Sequence, residues 1–107
     1  MSNTVEIEFG KKDITNEEVI SVIKDIAACK DGSDSCFNLE IIVNNDGYVT
    51  AIVVFKDVET AKNFVDAIES RKDDSVLSVK VIGFLKERSY NSASLISPLA
   101  FLLISLW

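Results

Sequence analysis

Apolar residues alternate with polar ones in four stretches of this chain and recur at helical spacing in two, and the order of those six stretches leaves few folds open. Val5, Ile7 and Phe9 alternate with Glu6 and Glu8 as a half-buried strand does, and Gly10 with Lys11-Lys12-Asp13 ends it. Thr15 followed by Glu18 is a capping box, with Ile14 and Val19 at the staple positions. Val19, Ile23 and Ile26, with Ile20 and Ala27, make one apolar stripe, and Lys30-Asp31-Gly32 stops the helix. Phe37, Leu39, Ile41 and Val43 form a second strand, which Asn44-Asn45-Asp46-Gly47 turns tightly into a third, Tyr48 to Phe55. Asp57 is an N-cap for a helix that carries Val58, Ala61, Phe64, Val65 and Ile68 on one side. After the polar break Arg71-Lys72-Asp73-Asp74, a last strand runs from Val76 to Leu85 with Leu77, Val79 and Val81 on one face.

Strand, helix, hairpin, helix, strand predicts an α+β domain, the ferredoxin-like βαββαβ plait. It has a four-stranded antiparallel sheet with both helices on one face, because right-handed crossovers place them there. The domain covers residues 1–86, a polar linker residues 87–94 and a hydrophobic tail residues 95–107.

Composition narrows the function. The chain has no histidine, which removes the commonest general base and the commonest metal ligand. Two cysteines without histidine do not complete a zinc site. No catalytic residue, metal site or cofactor is therefore predicted, and an enzyme is not expected. The net charge of −6 repels phosphate backbones, so nucleic acid is not expected as a partner.

On the sheet face away from the helices, strict alternation places Glu6, Glu8, Asn38, Glu40, Ile42, Thr50, Ile52, Val54, Lys80, Ile82 and Phe84. Ile42, Ile52, Val54, Ile82 and Phe84 are the candidate face for a protein partner or for self-association. The alternative is a sheet face partly solvated or covered by the chain's own tail.

Two resemblances bear on this face. The run from Gly47-Tyr48 through Phe55-Lys56-Asp57-Val58-Glu59-Thr60-Ala61 to Ala67-Ile68, with Ile14-Thr15-Asn16-Glu17-Glu18-Val19, resembles the RNA-recognition motif over most of residues 5–85. That resemblance implies the plait. The family's stacking aromatics fall on Glu6, Thr50 and Ile52, so it does not imply RNA binding here. The hairpin with Gly47, the helix opening Asp57-Val58-Glu59-Thr60 and the strand leading to an apolar end resemble SEA domains, extracellular modules that lie beside membranes. Many of these cleave themselves at a Gly-Ser bond in the hairpin. Here Tyr48 follows Gly47, and no such cleavage is expected.

Cys29 and Cys36 flank the polar loop Lys30 to Ser35, and a disulfide between them is the expected pairing, with two reduced thiols as the alternative. The tail, Leu95 to Trp107, has no charge; as a helix its thirteen residues reach about 20 Å, against a hydrocarbon core of about 30 Å. Asn91-Ser92-Ala93-Ser94 before this tail resembles a glycolipid (GPI) attachment signal, with Ser92, Ala93 or Ser94 as the modified residue. A short membrane anchor and packing within the chain or an oligomer are the other two readings. Met1 to Glu6 has no secretory leader, so a cell-surface placement requires one removed ahead of Met1, and a cytoplasmic placement is the alternative. The sequence thus predicts a non-catalytic extracellular or membrane-proximal binding or adhesion module, held at a membrane through its C-terminus. An intracellular protein-interaction module is the second reading.

Overall fold

A computed structural model describes residues 2–27, 37–71 and 78–90. Six elements follow the expected order: β1 (Thr4–Glu8), α1 (Asn16–Ala27), β2 (Asn38–Val43), β3 (Val49–Val54), α2 (Val58–Ser70) and β4 (Lys80–Leu85). They build one antiparallel sheet of strand order β2-β3-β1-β4, the ferredoxin-like arrangement. Strand and helix ends fall within a residue or two of the sequence reading, except for the last strand. That strand begins at Lys80 rather than Val76, and residues 72–77 lie outside the described part.

The local chemistry explains each start. The Glu18 N–H donates to Thr15 Oγ1 and the Thr15 N–H donates to Glu18 Oε1, each at 3.1 Å, so two orphan donors of α1 are satisfied reciprocally. Asp57 caps α2 by accepting the Thr60 N–H at 2.7 Å. In the β2–β3 hairpin, Gly47 takes φ +89°, a conformation that a side chain disfavours, and its carbonyl accepts the Asp13 N–H at 3.0 Å. The hairpin is thereby tied to the end of the β1–α1 connection. The Lys12 ammonium lies 5.3 Å from the Tyr48 ring centroid on the same loop cluster.

One face of the sheet meets the helices. Val5, Ile7, Leu39, Ala51, Val53 and Phe55 are buried against Val19, Ile23 and Ile26 of α1 and Ala61, Phe64, Val65 and Ile68 of α2. The Phe55 ring lies between Phe37 and Phe64, with centroids 6.3 and 4.9 Å away. This is the centre of the core.

Both cap carboxylates hold their proton less tightly than usual. For Glu18 the main cause is the Thr15 N–H, followed by Lys11; for Asp57 it is the hydroxyl and N–H of Thr60. A carboxylate whose folded pKa is lowered stabilises the fold above its ordinary value, and this contribution is lost as pH falls through the lowered value. A Glu18→Gln/Asp57→Asn double variant is therefore expected to show a flatter acid limb in a circular-dichroism titration. An acid limb as steep as the parent's would contradict the capping assignment.

Candidate functional site

The register fixes what stands on the face away from the helices. Three cross-strand rows run from β2 to β4: Asn38, Val54, Thr4 and Leu85; Glu40, Ile52, Glu6 and Gly83; Ile42, Thr50, Glu8 and Lys80. Residues directly opposite share a face, so Glu6 and Ile52 lie side by side.

The five candidate partner residues divide. Ile42, Ile52 and Val54 are on this open face as expected. Ile82 and Phe84 do not continue it. Between Glu6 and Ile7 the β1–β4 ladder slips: Ile7 faces Val81 and Glu6 faces Gly83, so Ile82 is the extra residue of a bulge. Past the bulge the parity reverses, and Phe84 stands opposite Val5 on the helix side. At this edge of the sheet, Ile82 and Phe84 remain 43% and 39% exposed.

The open face is not a bare surface. Ile52 and Val54 are 6% and 3% exposed, and Thr4, Asn38, Glu40 and Thr50 are buried with them, although neither α1 nor α2 lies on this side. The chain beyond β4 accounts for part of this. Asn3, itself buried, donates from Nδ2 to the carbonyls of Phe55 and Arg88 at 2.9 and 2.7 Å, while its Oδ1 accepts the Arg88 N–H at 3.1 Å. The Asn3 carboxamide thus pairs with Arg88 as one peptide pairs with another, and draws the chain after β4 back toward the start of β1. From there the Arg88 guanidinium reaches Glu40 Oε1 at 2.7 Å on β2, the opposite edge strand. Ser2 Oγ donates to the Leu85 carbonyl and holds the same end together.

The two threonine hydroxyls of the face are satisfied locally. Thr50 Oγ1 accepts from Asn44 Nδ2 at 3.0 Å, and Thr4 Oγ1 donates to Asn3 Oδ1 at 3.0 Å. Among the described residues, no buried side-chain nitrogen or oxygen lacks a hydrogen-bond partner.

Sequence reasoning missed Ser2, Asn3 and Arg88. The bulge had one local signal, Gly83 within a strand. The ties to Arg88 had none, since Glu40 and Asn3 are far from it in the chain. Cys29, Cys36, Ser92, Ala93, Ser94 and the tail 95–107 lie outside the described residues. Among the described residues, no group of three or more metal-binding side chains converges, and no helix is long and apolar enough to cross a membrane. No protein family, curated protein or solved structure matches this chain.

Proposed function

We propose that this chain is a non-catalytic, SEA-like binding module that works beside a membrane, with its partner docking on the exposed edge at β4 rather than on the open sheet face. The observation that carries the reading is the occupation of that face. Its carboxylate Glu40 is held by Arg88, and Ile52 and Val54 are buried. A ligand seated there would have to displace groups of the chain itself.

The surface left for a partner is Ile82 and Phe84 on an edge strand, on either side of Gly83, where a Cβ would meet nothing within 4 Å. Edge strands accept added strands, and a glycine without neighbours permits close backbone approach. The uncharged segment 95–107 supplies the membrane contact in this reading. Glycolipid attachment at Ser92, Ala93 or Ser94 is a second form of the same placement, read from the mass of the C-terminal peptide of protein isolated from cells. The intracellular interaction module is kept as the second reading because the β4 edge is usable without a membrane.

Flotation with phosphatidylcholine vesicles tests the membrane contact. The full chain is expected to float with the vesicles, and a Phe101→Asp/Leu103→Asp variant to stay in the dense fraction. If both stay in the dense fraction, membrane contact through the segment itself fails and the intracellular reading replaces it.

A further inference from the structure

We infer that the open sheet face is the docking site of the chain's own C-terminal segment, residues 95–107, when no membrane is present. This goes beyond the proposed function, which concerns where the segment goes when a membrane is available.

Three observations converge. The first is burial without a helix: Ile52 and Val54 are as buried as residues of the core, on the side of the sheet that neither helix covers. An isolated sheet face of Ile, Val and Thr side chains would leave its central residues partly wet. The second is direction. Asn3 grips both the N–H and the carbonyl of Arg88, and the guanidinium lies toward β2, so the chain leaves β4 bound for the open face rather than for solvent.

The third is chemical fit. Thr4, Thr50 and Glu40 already have hydrogen-bond partners, so an uncharged segment can lie over them without stranding a buried polar group. Of the other charged members of the face, Glu8 and Lys80 are exposed in the outer row, away from Val54 and Leu85, and Glu6, in the middle row beside Ile52, is only half-buried, so its carboxylate keeps access to water. Length is sufficient. Even coiled as a helix, thirteen residues extend about 20 Å, while four strands measure roughly 14 Å across. The occupant is taken to be this segment rather than a second copy because Arg88 already binds the face from within the same chain, only a few residues before the segment begins.

Photo-crosslinking of the full-length chain in lipid-free buffer tests this. Benzoylphenylalanine is placed singly at Ile42 and at Glu6, two half-buried positions on the open face, and at the exposed Val43 as control. With the first two, loss of the unmodified tryptic peptide 89–107 is expected in protein that stays monomeric, together with a crosslink mapped to residues 95–107. The Val43 protein should leave that peptide intact. Two positions on different strands guard against one variant failing to fold. Absence of a crosslink to 95–107 from both positions, or its appearance only in covalent dimers, overturns the inference. Because no lipid is present, the outcome does not depend on the membrane reading.

Discussion

Replacing Phe55 with alanine is expected to lower the unfolding free energy by about 3–5 kcal/mol. Phe55 follows β3 directly and is fully buried, with its ring between Phe37 and Phe64. Its backbone is fixed on both sides by Asn3: the Phe55 N–H donates to the Asn3 carbonyl and the Phe55 carbonyl accepts from Asn3 Nδ2, each at 2.9 Å. The site therefore cannot collapse to refill the space a phenyl ring leaves. Domains of this size have roughly 5–15 kcal/mol in total, so the variant should be marginal or unfolded near body temperature. Val43→Ala is the reference. Val43 is also a β-branched strand residue but 69% exposed, and its loss should change stability by less than about 0.5 kcal/mol. Urea unfolding followed by far-UV circular dichroism reads both. Similar midpoints for the two variants would show that the core does not centre on Phe55.

The contrast between these two residues marks what the sequence could disclose. Capping boxes, N-caps and turn residues act over three or four positions, and Thr15-Glu18, Asp57 and Asn44-Gly47 were each legible and are each formed. Period-two alternation places a residue on a face as long as the strand is regular. On β3 it holds from Val49 to Val54, and the whole face assignment there is correct. On β4 a single extra residue, Ile82, resets the parity and moves Phe84 to the other side. Alternation alone carries no trace of such a slip, although Gly83 marks the place where the ladder can tolerate one.

The closure of the open face was harder still to read. It depends on Asn3 and Arg88, which look like ordinary polar residues at a strand start and in a linker, and which meet only because β1 and β4 are neighbours. The sequence did leave tail cover as one of the alternatives for this face, but it gave no reason to name Arg88 as a residue that reaches Glu40 across it.

Breaking the Arg88–Glu40 pair is expected to have the second large effect, and the sign of the asymmetry is its diagnostic part. The Glu40 side chain is 7% exposed and that of Arg88 39%, so the two members differ in what they lose when left alone. Arg88→Met strands a buried carboxylate and should cost about 1–2 kcal/mol, below the full cost for a deeply buried charge because water enters on the arginine side. Glu40→Met leaves a guanidinium that water can reach, and should cost less than about 1 kcal/mol. The double variant replaces the pair with two apolar side chains of similar reach on a face already lined by Ile52 and Val54, and should be close to neutral.

The claim on which the functional reading rests is that the open face is closed from within by the chain's own groups, so that it is not offered to a ligand. A double-mutant cycle on Arg88 and Glu40, measured by urea unfolding of the full-length chain, tests that claim most directly. The expected result is Arg88→Met clearly less stable than the double variant, with a coupling of about 1 kcal/mol or more between the two positions. Additive losses with no coupling would mean that Arg88 does not close the face, and would contradict the account.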